Sequence, residues 1–270
     1  MDIERFRVVP GSSVDLNAIP TRALPTWFKG DKESAKLANE RLSQRIAELQ
    51  TELHATGAAK VLIVLQGLDT SGKDSTTRRV FGAGSPLGIR VANFKRPSEN
   101  ELAHEYLWRV STLTPPDGEI AIFNRSHYED VLVVRVDGLA PEERWRRRYG
   151  HIVDFERRLV DEGTVVRKFY LHISHDEQRQ RLQDRVDDPQ KHWKFEPADL
   201  IARSKWDQYR LAYEEMLSRT STDHAPWYVV PADQKWFRDL VVGTAVASAL
   251  EAIDMVWPEP AKGTAGITID

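Results

Sequence analysis

Residues 60–66, KVLIVLQ, form a run that is apolar from Val61 to Leu65 and stops at Gln66-Gly67. Gly72-Lys73 follow at the spacing G-x-x-x-x-G-K, and 72–82 has the periodicity of a helix. A buried strand, a glycine-bounded loop and a helix in direct succession restrict the chain to α/β folds with a largely parallel sheet. The rest of the sequence continues the alternation. Strands are expected at 89–94, 118–124, 164–173 and 227–232, and helices at 98–110, 141–162, about 175–219 and 234–256. Ser98 and Glu101 form an S-x-x-E capping box at the start of the first of these helices. Asp187-Asp188-Pro189 interrupts the third long helical stretch. Before the first strand, Ala35, Ala38, Leu42, Ile46, Leu49 and Leu53 step by three or four, giving an amphipathic helix closed at Gly57. Its apolar face could cover the chain's own sheet or a neighbouring subunit. The expected domain division is an irregular arm at 1–30, one domain at 31–257 and a loose tail at 258–270.

Ligands of open parallel sheets sit at the carboxyl ends of the strands, where GLDTSGK (67–73) falls. The backbone N–H groups of such a loop and the helix N-terminus behind it suit a phosphate. Gly67 and Gly72 permit close approach, Thr70, Ser71 and Ser75 add hydroxyls, and Lys73 brings a mobile charge. Position 74 departs from the pattern. Ser or Thr ordinarily follows the lysine and ligates Mg²⁺, whereas here Asp74 stands there. A carboxylate inside a phosphate cradle repels its ligand unless a cation lies between them. Asp69 is therefore the leading candidate for Mg²⁺, and Asp74 serves either the metal or the helix N-terminus.

The stretch IAIFNRSHYEDVLVVRV (120–136) ends the third strand in polar residues. Asn124 occupies a place that often carries a metal-binding Asp in P-loop kinases. Arg125 can clamp a phosphoryl group in bidentate fashion. Glu129 is the candidate base or second metal ligand, and His127 reads as a packing residue. Net charge is −3, with local clusters such as RWRRR at 144–148. That balance favours an anion bound at a site over a nucleic acid wrapped by bulk charge, although the same arginines could be a solvated helix face. There is no cysteine, no apolar leader at the N-terminus and no apolar run of ~18 residues, so a cytoplasmic protein without a membrane span is expected.

GLDTSGKDST, FKRPSENE, FNRSHYEDVLVVRV and RLQDRVDDPQKHWKFEPADLIARSKWDQY (181–209) together resemble the polyphosphate kinase 2 family in order and spacing. The resemblance implies a three-layer α/β/α P-loop kinase fold akin to thymidylate kinases, with a helical lid at about 175–205. It implies Mg²⁺-dependent phosphoryl transfer between inorganic polyphosphate and nucleotides. The family's loop Asp and Lys match Asp69 and Lys73, its second-motif Arg matches Arg125, and its lid Arg matches Arg185. Lys95 and Arg96 in the second stretch, Arg135 in the third, and Lys191 and Lys194 in the fourth complete the candidate phosphate- and nucleotide-binding set. Many members carry Asp at the place of Asn124, and this chain resembles the FNRS-x-YE subgroup. Members with Glu at the place of Glu129 tend to accept nucleoside mono- and diphosphates, here adenine and in some cases guanine nucleotides. Family members are often dimers or tetramers, so a homo-oligomer is implied. An ATP-dependent nucleotide kinase and a silent polyphosphate-binding protein stay open as alternatives.

On the lid, Arg185 and its basic neighbours could neutralise the transferring group and exclude water. Trp193, Trp206 and Tyr209 are expected to pack and orient the lid.

Overall fold

A computed structural model describes residues 1–264 and 267–269. Five strands, β1 (Lys60–Gln66), β2 (Ile89–Asn93), β3 (Ile120–Asn124), β4 (Thr164–His172) and β5 (Trp227–Pro231), form one sheet in the order β2-β3-β1-β4-β5. Every pairing is parallel. The helices are α1 (Lys32–Thr56), α2 (Lys73–Phe81), α3 (Glu99–Leu102), α4 (Trp108–Ser111), α5 (Val133–Val136), α6 (Glu142–Asp161), α7 (His175–Asp187), α8 (Pro197–Ser204), α9 (Trp206–Thr220) and α10 (Lys235–Glu251). No helix of the described residues is long and apolar enough to cross a membrane.

Alternation along β1 divides the core in two. Val61, Ile63 and Leu65 face α1, α2 and α10, packing with Ile46, Leu53, Phe237 and Val241. Leu62 and Val64 face α6 and α9, packing with Ile152, Phe155, Met216 and Leu217. Both faces are covered, which is why β1 reads as a continuous apolar run. Asp31 caps α1 by accepting from the Ser34 N–H, and Gly57 ends it at φ 60°. The buried face of α1 lies on its own subunit, against α2 and α10, which resolves the alternative left by the sequence.

Two expected helices differ. The segment 98–110 is two short helices, α3 and α4. Ser98 and Glu101 cap α3 reciprocally, but the chain then leaves the helix, and Glu105 caps the next turn by accepting from the Leu107 N–H at 2.8 Å. The last helix stops at Glu251 rather than 256, and beyond it Ile253 and Met255 still pack, partly buried, against the core without helical structure. The stretch 258–264 contains no helix or strand. Residues 265, 266 and 270 of the expected loose tail lie outside the described residues.

The arm before α1 is irregular but packed. Phe6, Val8 and Leu16 are buried, and Val8 N–H donates to the Trp227 carbonyl at 2.8 Å along the outer edge of β5.

Candidate active site

β3 and β1 are neighbours, and they send their chains to opposite faces of the sheet, to α2 after β1 and to α6 after β3. Such a switch point opens a crevice at the strand ends. The register pairs Leu65 with Asn124, and Arg125 N–H donates to the Leu65 carbonyl at 3.0 Å. The two motifs noted in the sequence therefore lie side by side. Each contributes a residue in the left-handed region, Thr70 at φ 69° and Arg125 at φ 62°, the two non-glycine residues so placed among those described. Such backbone costs about 1–3 kcal/mol and persists only where its surroundings fix it.

Gly67 has φ 150°, and a Cβ there would stand 2.9 Å from the Leu171 carbonyl oxygen. At Gly72, φ 108°, a Cβ would fall 1.8 Å from Nη1 of Arg238. Both glycines are required by the close packing of the loop as well as by its angles. Lys73 is buried and donates to the Gly67 carbonyl at 2.6 Å. Burial, and next the charge of Arg125, lower its ammonium to about 8, against the opposing pull of Asp69, Glu129 and Asp74. The N–H groups of Thr70 and Gly72 make no hydrogen bond within the described residues. The Thr70 and Ser71 hydroxyl oxygens are likewise buried and unpaired. The loop thus holds unspent donors beside a buried lysine whose charge lacks a full counter-charge, which is the inventory of an oxyanion cradle.

Arg125 is gripped from two sides, by Asp69 through Nη2 and by Glu129 through Nη1 at 3.4 Å. Glu129, with Asp69 assisting against burial, holds this guanidinium firmly in its charged form. The two candidate metal ligands therefore flank the one candidate phosphoryl clamp. Asn124 donates to Asp74 through Nδ2, so the altered metal position of the loop is tied to the strand end by a neutral amide. Ser75 Oγ donates back to the Gly72 carbonyl at 2.9 Å.

On the lid, Arg185 donates to the Lys194 carbonyl at 2.8 Å and pairs with Asp199 at 3.1 Å. Burial, then the charge of Asp69, raises the Asp199 carboxyl, which places this lid pair within electrostatic reach of the loop. Lys95 and Arg96 are exposed on the segment before α3. Lys191 is exposed and paired with Asp188 at 2.8 Å, and Lys194 lies over Trp193. Two expectations change here, and one open alternative is decided. Arg135 points to Glu215 at 2.7 Å and stacks 4.8 Å from Trp145, so it is engaged between α6 and α9 and not in the loop. Trp193 is 78% exposed and packs little, whereas Tyr209 is buried. The arginines at 146–148 meet Glu142, Glu143 and Asp130, so they are largely a paired helix face.

His127 is fully buried and bonded to Glu156 at 3.3 Å, a packing residue as expected. Gln178 and Arg238 were missed in the sequence, and Arg181 was read there only as one of the basic neighbours of Arg185 on the lid. All three donate to loop carbonyls, at Asp69, at Thr70 and Ser71, and at Ser71 respectively. A signal existed for two of them. Gln178, Arg181 and Leu182 recur at helical spacing and form the buried side of α7, a helix with almost no apolar residues to bury.

The family model of polyphosphate kinase 2 matches residues 29–256. An AMP/ADP-polyphosphate phosphotransferase of Meiothermus ruber is 48% identical over 268 residues, 99% of this chain and all of that protein. An ADP-polyphosphate phosphotransferase of Rhodopseudomonas palustris is 41% identical, covering 95% of this chain and 92% of that one. Among solved structures, polyphosphate kinase 2 of Arthrobacter aurescens TC1 superposes with a TM-score of 0.91 at 40% identity, over 95% of this chain and 91% of that one. With a family match across most of its length and a shared α/β architecture around the phosphate loop, the chain belongs to the polyphosphate kinase 2 family.

Proposed function

We propose that this protein transfers the terminal phosphoryl group of inorganic polyphosphate to AMP and to ADP, reversibly. The observation that carries the reading is the joined constellation of Lys73, Asp69, Arg125 and Glu129, in a chain that aligns end to end with the Meiothermus relative. Phosphoryl transfer asks little covalent chemistry of a protein. It asks for alignment and for positive charge around a dispersed negative one. Gly67, Thr70, Ser71, Gly72 and Lys73 would cradle the donor phosphate, Arg125 and Arg185 would hold the transferring group, and Lys95, Arg96, Lys191 and Lys194 would meet outlying phosphates.

The donor set fits Mg²⁺. Among the described residues no three metal-ligating side chains converge, but Asp69 and Glu129 both line the Arg125 crevice. Mg²⁺ is satisfied by one or two carboxylates, with waters and phosphate oxygens completing its shell. When bound there it would neutralise phosphate charge, and Asp69, with Glu129, would hold it. Arg125, now held between these two carboxylates, would offer its guanidinium to the phosphoryl oxygens. Adenine nucleotides are the proposed acceptors, with guanine nucleotides a secondary class, since a 34% identical relative is named a putative GDP-polyphosphate phosphotransferase. The proposed assembly is a homo-oligomer.

Incubation with Mg²⁺ and long-chain polyphosphate, with AMP or ADP added separately, should give ADP and ATP, followed by chromatography. Asp69→Asn should cut both rates by about 10²-fold or more. Turnover with ATP as donor and none with polyphosphate would overturn the donor assignment, and product from neither would leave only a binding protein.

A further inference from the structure

Arg181 lies on α7, one turn before the lid arginine, and is 7% exposed. Its guanidinium has five N–H donors, and all five are spent. Nε donates to Glu177 Oε1 at 2.8 Å. Nη1 donates to the carbonyls of Thr70 at 2.9 Å and Ser71 at 3.1 Å. Nη2 donates to the carbonyls of Ala232 at 2.7 Å and Asp233 at 3.0 Å. With no donor left, this cation cannot be a phosphate ligand, although it stands against the phosphate loop.

We propose that Arg181 is a positioning residue, which sets the phosphate loop from behind and fixes the root of the lid to it. The proposal rests on the reading of that loop as an oxyanion cradle. A trans peptide is planar, so a carbonyl drawn one way turns the following N–H the other way. Arg181 and Arg238 draw back the Ser71 carbonyl, and Gln178 draws back that of Asp69. Among the described residues the N–H groups that follow, on Gly72 and Thr70, have no partner and stay available to a ligand, as do those of Leu68, Asp69 and Lys73 along the same loop. The same guanidinium joins the loop after β1 to the loop after β5, and both to α7. Gln178 and Leu182 are buried beside it, so α7 is part of the fixed body. The part of the lid free to move is then the stretch after the Asp187-Asp188-Pro189 break, which carries Lys191, Lys194 and Asp199, while Arg185 marks the pivot.

Lysine offers three donors from a point and cannot span four carbonyls. Arg181→Lys should therefore weaken binding of tripolyphosphate, measured by calorimetry, by about tenfold or more, since bonds to a charged donor are lost from the cradle. In turnover the polyphosphate KM should rise by the same factor, with the AMP KM within about twofold. Equal tripolyphosphate affinity in the two proteins, with a loss of kcat that only follows the folded fraction, would overturn the proposal. Hydrogen exchange of the unaltered protein reads the same claim without a variant. Amides of 175–187 should exchange as slowly as those of β4, and 188–205 faster. Equally fast exchange in both stretches would refute the fixed root. Tripolyphosphate binding without polyphosphate turnover would sink the proposed activity and leave the role of Arg181 to these two measurements. A protein that binds no tripolyphosphate would refute the cradle and the positioning role together.

Discussion

At the scale of single residues, Lys73 carries the most direct consequence. Its ammonium is lowered to about 8 because burial and Arg125 disfavour its charge in the free protein. A bound polyanion supplies the missing counter-charge, so binding should push the group back toward full protonation. Near pH 8 the site should take up roughly half a proton per phosphate chain bound, and nearly none at pH 6, where Lys73 is already charged. Calorimetry in buffers of differing ionisation enthalpy measures this, and subtracting the uptake of Lys73→Arg removes the titration of the anion itself. An uptake that does not change with pH, or is equal in the variant, would contradict it. Lys73 was legible because its spacing from Gly67 is a local pattern. The bond between Asn124 and Asp74 was not, because it joins residues 50 apart whose meeting depends on strand register. Arg181 was hidden for a different reason. An arginine in a charged helix reads as solvated unless the carbonyls it must satisfy are known.

Among elements, the turn His127–Asp130 ties the second motif to the core. Lys168 of β4 is fully buried and donates to Glu156 of α6 at 2.5 Å, to the Tyr128 hydroxyl at 2.8 Å and to the Thr220 carbonyl at 2.7 Å. Glu156 also accepts from the Tyr128 hydroxyl at 2.7 Å and from His127. Burial alone would raise the Glu156 carboxyl, yet Lys168 and His127 together hold it below its ordinary range. A buried pair of this kind is worth little against an apolar replacement but is expensive to break. Glu156→Leu and Lys168→Met should each cost about 3–5 kcal/mol, and the double variant less than the sum of the two. Urea denaturation of the four proteins tests the cycle, and additive losses would show the charges to be independent. Strand and helix identities were readable at this scale wherever a buried apolar run or a long periodic face existed. The segment 98–110 was misread as one helix because its capping signals at Ser98 and at Glu105 define two short turns, and the sequence pattern revealed only the first.

Across the whole molecule the two outer edges of the sheet are treated differently. β2 ends one side, with Val91 exposed, whereas β5 is lined by the N-terminal arm. The arm is fastened at points that a purely irregular reading of 1–30 does not anticipate. Ser221 donates to the Val8 carbonyl at 2.8 Å, Glu214 accepts from the Leu16 N–H at 3.0 Å, and the His172 ring donates to the Leu16 and Ile19 carbonyls. Proline and glycine removed the periodicity, so nothing local marked Phe6, Val8 and Leu16 as core residues; the edge they cover exists only after the sheet has formed. Three buried side chains at roughly 1.5–3 kcal/mol each make the arm a substantial part of a domain's stability. Removing residues 1–19 should therefore lower the unfolding free energy by roughly 5 kcal/mol and leave the β5 edge open to pairing. Urea denaturation and light scattering measure the two effects. An unchanged midpoint with an unchanged mass would show that the arm is an accessory. Loss of stability with growth of large species would make it the cover that lets a fully parallel sheet end at β5.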